Sequence, residues 1–180
     1  MKLTWFAGTT VRIHIGGQIL VADADGAPGF IDKRELLSGA DRSFSFAADD
    51  QGLPLIDPAK WRTRTSSKIL DDSLIDETVR VQRIGASAIL IDAVGEPPLV
   101  LIGGDDAPRF GRWADNAVVT LFGDGEAIVA IGTVLLDIAR PKLIALAADE
   151  QAIDLAIDEL REHLDGAALV SLEPALALEV

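Results

Sequence analysis

The sequence predicts a single α/β domain, and three observations support this fold class. Hydrophobic residues make up 49% of the 180 residues and charged residues 25%, so the chain has enough apolar side chains for a sizeable core and does not have the composition of a disordered one. The half at about 1–93 is rich in hairpin signals. The half at about 98–180 alternates strand and helix patterns, which is typical of parallel strands joined by right-handed crossovers.

The first half consists mainly of short segments with the two-residue period of β-strands. Gly16-Gly17 is a two-residue hairpin signal between two such segments. Asp32 is expected to cap one or two helical turns, since a carboxylate can accept from the free N–H groups at a helix start. The predicted strands lie at 2–6, 10–15, 18–21, 79–84 and 87–93, the helical turns at 32–38, a short strand within 43–58, and a segment that alternates like an exposed strand at 61–65.

The second half has longer and clearer elements. Apolar residues recur along 150–164 with helical spacing, and Asp149 stands where an N-cap belongs. Pro141 prevents continuation of the preceding helix, and Gly166 stands where a C-terminal cap belongs. The predicted helices are 125–139 and 150–164, and the predicted strands are 98–102, 117–122, 142–147, 168–172 and 176–180.

Charge and composition narrow the classes of function. The formal net charge is -13, so the surface repels phosphate backbones and anionic membranes, and we expect neither nucleic acid nor a membrane as partner. There are no cysteines, which excludes disulfides and thiolate chemistry. No signal-peptide pattern or membrane-length apolar run occurs, so a cytoplasmic location is expected. The partner stays unknown, and a homodimer remains open.

Several local strings and the order of the elements resemble the metallo-β-lactamase fold superfamily, in particular its small metal-dependent-hydrolase branch. The strings cover almost the whole chain and are MKLTWFAGTTVRIHIGGQILVADAD, ADRSFSFAADDQGLP, RIGASAILIDAVGEPPLVLIGGDD, ADNAVVTLFGDGEA and KLIALAADEQAIDLAIDELREHLDGAALVSLEPALALEV. The resemblance implies a four-layer α/β/β/α sandwich with mixed sheets and a site at one sheet edge. It also implies that a dinuclear metal site would be built on a His-x-His-x-Asp-His loop, a Gly-Asp-Thr element and a last histidine.

The chain departs from that pattern at the metal ligands. The motif loop places Ala47, Asp49, Gln51 and Gly52 at the ligand positions, and the last-ligand stretch reads Leu146-Ala147-Ala148. Only two histidines occur in the whole chain, which is too few for the four or five that such a site uses. The resemblance therefore implies a degenerate member, and we assign no catalytic, cofactor-binding or metal-binding residue.

Carboxylates in two of these stretches leave an alternative open. Asp49, Asp50, Asp105 and Asp106 could form a vestigial pocket, because oxygen ligands suit Mg²⁺ or Ca²⁺. The simpler interpretation is that they are solvated loop carboxylates, as for the pair Asp71-Asp72.

Other polar residues have ordinary structural interpretations. His14 is expected to face solvent from a strand, and His163 to pair with Glu159 near a helix end. Gly123-Asp124-Gly125 fits a tight turn before a helix better than a phosphate loop, since acidic side chains would repel phosphate there.

The only basic patch surrounds Trp61. Its cations are Lys60, Arg62, Arg64 and Lys68, and they could dock an acidic partner. The simpler interpretation is an edge strand whose charges block unwanted pairing.

Three functional hypotheses follow. The first is a catalytically silent member of the fold that binds a ligand or a protein and needs no cofactor. The second is a hydrolase with a reduced, all-carboxylate metal site. The third drops the resemblance and keeps a doubly wound domain with one central sheet, with its ligand at the carboxyl ends of the parallel strands.

Overall fold

A computed structural model describes residues 1–46, 52–64 and 78–180 of the chain, which form two facing β-sheets with helices on their outer sides. The strands are β1 Lys2–Ala7, β2 Thr10–Ile15, β3 Gln18–Ala22, β4 Arg42–Phe44, β5 Val79–Arg83, β6 Ala88–Ala93, β7 Leu99–Gly103, β8 Val118–Phe122, β9 Leu143–Ala147, β10 Ala168–Ser171 and β11 Ala177–Glu179; the helices are α1 Lys33–Leu37, α2 Gly125–Ile138 and α3 Glu150–Leu160.

Both sheets are mixed, as the resemblance implies. Sheet A has the order β11-β1-β2-β3-β4, and only β3 and β4 run parallel. Sheet B has the order β10-β9-β8-β7-β6-β5, in which β7 to β10 are parallel and β5, β6 and β7 are antiparallel. The parallel β8, β9 and β10 alternate with α2 and α3 along the chain, as the second half of the sequence predicts. Two sheets instead of one also exclude the doubly wound alternative.

The main core lies between the two sheets. Strands of sheet A alternate, so that Leu3, Val11 and Ile13 point inward and meet inward side chains of sheet B such as Ile89 and Leu101. All of these side chains are fully buried. The two-residue period that identified the strands is therefore also the pattern that fills this core.

The outer face of sheet B is covered by α2 and α3. Asp124 and Asp149 cap these helices by accepting from the backbone N–H groups of Ala127 and Ala152, each at 2.9 Å. The two helices approach closely at Gly132, where an added Cβ would lie 2.6 Å from a methyl carbon of Leu160. Packing between the helices thus favours glycine at this position.

Among the described residues, the five-residue α1 lies against the outer face of sheet A. Asp32 caps this helix through the N–H of Arg34 at 2.8 Å. The guanidinium of Arg12, on β2, donates to the carbonyl oxygens of Leu36 and Ser38 and thereby holds α1 on the sheet. With α2 and α3 on the opposite side, the order of layers is α/β/β/α, which confirms the four-layer fold.

The two histidines lie on the surface side of this framework. His14 shares the outer face of β2 with Arg12 and is partly buried; burial, and then the positive charges of Arg12 and Lys2, lower its pKa below the ordinary 6.5. His163 is exposed in a 3-10 turn after α3. The described contacts of His163 contain no ion pair with Glu159, so the predicted pair is absent.

The segment that begins at Trp61 differs from the predicted exposed strand. Residues 61–64 form no strand, and Trp61 is buried against sheet B with its ring edge-on to Trp113. Arg64 is also largely buried, because its Nε donates to the Asp92 carboxylate at 2.7 Å. The alternation of charged and uncharged residues was misleading here, since it reflects an irregular segment folded onto the sheet.

Within the described ranges, no helix has the length and apolar character needed to cross a membrane.

Candidate functional site

Four parallel strands of sheet B end at one edge of the sandwich. The carboxyl ends of β7, β8, β9 and β10 lead into Gly104, Gly123, Ala148 and Leu172. Sheet A contributes the β1–β2 turn and the segment after β4 at the same edge, because Gly103 lies against both Thr9 and Phe46. Ligand sites of α/β folds commonly occupy this kind of edge.

Asp23 organises the sheet A side of the edge. Its carboxylate accepts from the hydroxyl of Thr9, from the hydroxyl of Ser45 at 2.7 Å and from the N–H of Phe46 at 3.0 Å. Its carbonyl oxygen accepts from Thr10 at 2.9 Å. With φ 44° and ψ 49°, Asp23 has the left-handed conformation that aspartate tolerates better than most residues. Asp23 thus ties three segments together.

Sequence reasoning did not single out Asp23 individually. The available signal was the end of the first string that carries the resemblance, which contains Asp23 and Asp25. Its hydrogen-bond partners come from residues 9, 45 and 46, so only the tertiary structure reveals that one carboxylate serves all of them.

Arg83 fixes the segment after β4 from the opposite sheet. This residue is 6% exposed, and its guanidinium donates to the carbonyl oxygens of Ser45 at 3.1 Å, Phe46 at 3.0 Å and Ala86 at 3.1 Å. A charged donor holds such carbonyls more firmly than a neutral one. The position of Phe46 is therefore set by Asp23 on one side and Arg83 on the other.

An aromatic pair fills the space between the sheets at this edge. The ring centroids of Phe46 and Phe122 are 5.9 Å apart with an interplanar angle of 73°, an edge-to-face geometry that favours contact. The Phe46 ring also lies against Gly103, since an added Cβ there would be 3.6 Å from two ring carbons. The point where β4, β7 and β8 end is consequently apolar.

The predicted ligand positions that the structure describes carry no histidine. Ala147 and Ala148 are buried hydrocarbon at the end of β9, and Asp105 and Asp106 are exposed after β7. Within the described residues, no group of three or more His, Cys, Asp or Glu side chains could hold a metal ion. A zinc site needs at least three imidazole, thiolate or carboxylate ligands, so the described residues do not fit this metal.

Part of the predicted pocket lies outside the described residues. From the predicted ligand loop and pocket, this part includes Ala47, Asp49, Asp50 and Gln51. It also includes the pair Asp71-Asp72 and Lys68 of the basic patch. The proximity of Asp49 to Asp105 stays a prediction. Gly52 is described and exposed, and it has no side-chain ligand to offer.

A cavity of about 940 Å³ opens at the same edge, next to the ends of β8, β9 and β10; we call it the edge cavity. Its apolar walls include Trp5, Ala147, Ala148 and Leu172, and its polar groups include Ser171. The Trp5 indole is fixed by donation to the carbonyl oxygen of Gly8 at 2.9 Å. Three carboxylates also line the cavity, those of Asp149, Glu150 and Glu173.

Comparisons with known proteins give one structural neighbour. No family model and no curated protein matches the sequence. The crystal structure of a proposed zinc-dependent hydrolase of the metallo-β-lactamase superfamily from Thermotoga maritima covers 96% of this chain and 99% of its own, with 13% identity and a TM-score of 0.46. The chain is thus similar to that hydrolase in the course of its backbone, and the likeness extends no further than the fold.

Proposed function

We propose that the chain is a non-catalytic protein of metallo-β-lactamase-like fold that binds a small ligand in the edge cavity. The packing of Phe46 against Phe122 and Gly103 is the observation that carries the proposal. Among the residues that the structure describes, aromatic rings and alanines lie at the edge where hydrolases of this fold would need metal ligands. A hydrocarbon surface cannot hold a cation or lower the pKa of a bound water.

The edge cavity supports binding. A volume of about 940 Å³ lies within the range of small-molecule sites. Its walls are mostly apolar, and Asp149, Glu150 and Glu173 add negative charge at its opening. We therefore expect a largely apolar ligand that is neutral or positively charged, because these carboxylates would repel an anion.

Binding is tested with a neutral apolar dye, N-phenyl-1-naphthylamine, whose fluorescence rises when it leaves water. We expect saturable binding to the parent protein. Ser171→Phe would place a ring in the cavity mouth from an exposed position of β10, and it should weaken binding at least about tenfold. Ser43→Phe, at an exposed position on the edge strand of the other sheet, is the matched control and should bind like the parent. Equal binding by both variants would contradict the edge cavity as the site.

The absence of catalysis is tested separately. Protein purified without chelators is analysed for metals and assayed against ester and phosphoester panels with added Mg²⁺ or Mn²⁺. We expect no stoichiometric metal, no change of the melting temperature with a chelator, and no turnover. Metal-dependent turnover that disappears in Asp105→Ala would replace this proposal with the all-carboxylate hydrolase.

A further inference from the structure

A second cleft, of about 580 Å³, lies on the outer face of sheet B beside Trp61. We infer that this cleft binds a small anion that carries a planar aromatic ring. It shares no residue with the edge cavity, so the inference does not rest on the proposed function. We call it the arginine cleft, and the side chains that define it are Trp61, Arg62, Arg109, Phe110, Arg112 and Trp113.

The charge of the arginine cleft is opposite to that of the chain. Its described lining residues include three arginines and one carboxylate, that of Asp115, which pairs with Arg112 at 3.6 Å. In the part of the chain that the structure describes, Arg62 and Arg109 have no carboxylate partner. The cleft is therefore locally cationic in a protein of net charge -13. An anion of the ligand would relieve the repulsion among these arginines.

Backbone contacts hold the Arg62 guanidinium in place. Nη1 of Arg62 donates to the carbonyl oxygens of Ala59 at 2.9 Å and Trp61 at 2.6 Å. No other hydrogen bond of this guanidinium occurs among the described residues, and a guanidinium fork matches a carboxylate or a phosphate. The Trp113 indole donates to the Arg109 carbonyl at 3.1 Å, which fixes the turn that carries Arg109.

The aromatic side chains provide a surface for a ring. Phe110 and Trp113 lie nearly parallel, with centroids 6.3 Å apart and 24° between their planes, and Trp61 stands edge-on to Trp113 at 6.5 Å and 79°. Phe110 and Trp113 are only partly buried, so part of their surface remains open to the cleft. Stacking on such rings contributes binding energy for any planar ring. Rings beside arginines select a ligand with both an aromatic and an anionic part.

The tryptophans allow the two sites to be observed separately. The chain has three, of which Trp5 lines the edge cavity and Trp61 and Trp113 line the arginine cleft. In a Trp5→Phe variant, all indole emission comes from the arginine cleft. We would titrate this variant with adenosine monophosphate and with 2-naphthoate, which carry a phosphate and a carboxylate, and confirm the affinities by calorimetry. Adenosine lacks the anionic group and ribose 5-phosphate lacks the aromatic ring, so these two compounds serve as reference ligands.

We expect saturable binding of at least one of the two aryl anions, with the better ligand identifying phosphate or carboxylate as the preferred group. Adenosine and ribose 5-phosphate should each bind at least about tenfold more weakly than adenosine monophosphate where the latter binds.

Arg62→Gln and Arg109→Gln should each weaken binding about tenfold, as the loss of a charged hydrogen bond would. The matched control Arg161→Gln removes the same charge from an exposed 3-10 turn after α3 and should leave affinity unchanged. Failure of both aryl anions to saturate below about 5 mM, or equal affinities in Arg62→Gln and Arg161→Gln, would overturn the inference.

Discussion

The outer faces of the two sheets are covered in different ways. Each strand from β6 to β9 is buried along its whole length, because α2, α3 and the Trp61 segment cover the outer face of sheet B. Strands β1 and β2 have partly exposed outward residues, because α1 has five residues and covers little of sheet A. The difference shows that sheet B depends on outer packing for stability, whereas sheet A depends mainly on the core between the sheets.

The largest effect is expected at the buried ion pair on the outer face of sheet B. The Asp92 side chain is 2% exposed and that of Arg64 12%. Arg64→Met would leave the Asp92 carboxylate without this partner, and loss of one partner of a buried pair costs about 3–5 kcal/mol of unfolding free energy. Urea denaturation measures the change.

Two controls sharpen this prediction. The double variant Arg64→Met with Asp92→Leu removes both charges and should recover most of the loss. Lys33→Met breaks the exposed pair with Asp25 on the side of sheet A, and its effect should be too small to resolve. If Arg64→Met and Lys33→Met were equally stable, the two faces would not differ in the way described.

A smaller effect is expected where α2 meets α3. Gly132→Ala would bring a methyl group to 2.6 Å from the buried Leu160 side chain. Overpacking costs about 1–3 kcal/mol, and the better helix propensity of alanine returns about 1 kcal/mol. We expect a net loss of roughly 1 kcal/mol in chemical denaturation. The control Gly29→Ala, at an exposed position with no atom within 4 Å of the added carbon, should leave the free energy of unfolding unchanged. If Gly132→Ala were more stable than the parent, the helices would not be closely packed at this position.

The smallest effect concerns His14 on the outer face of sheet A. Its pKa is lowered in the folded protein from 6.5, so the unfolded chain binds more protons just below that value. The contribution of neutral His14 to the free energy of unfolding is therefore fully present above pH 6.5. It is lost as the pH falls through the lowered pKa of the folded protein. Comparison of melting temperatures at about pH 8 and about pH 5.5 should show a smaller decrease for His14→Gln than for the parent. A larger decrease in His14→Gln would mean that the sign is wrong.

The regular parts of the fold could be predicted from the sequence. Val118–Phe122 is an apolar run interrupted only by Thr120, and Asp124 and Asp149 stand directly before helical patterns. These signals are local, so neighbouring residues suffice to recognise them. The four layers and mixed sheets came from the resemblance, which added the long-range order that periodicity does not contain.

The site was predicted less completely, because its contacts are distant in sequence. The bonds of Asp23 to Ser45 and Phe46 span 22 and 23 residues, and Arg83 reaches Ser45 across 38. The burial of Trp61 depends on sheet B and Trp113. No local pattern contains such information, and for that reason the strand prediction is wrong at residues 61–64.

The shortness of the outermost strands limits how copies of this chain can associate. In sheet A both outermost strands, β4 and β11, have three residues. In sheet B, part of the outermost strand β5 already makes backbone hydrogen bonds to Pro54 and Ile56. The outermost strand on the other side of sheet B is β10, which has four residues. Edge strands of this length offer few free backbone N–H and C=O groups for pairing with a strand of another molecule. The described edges therefore favour a dimer through side-chain surfaces over one by extension of a ladder.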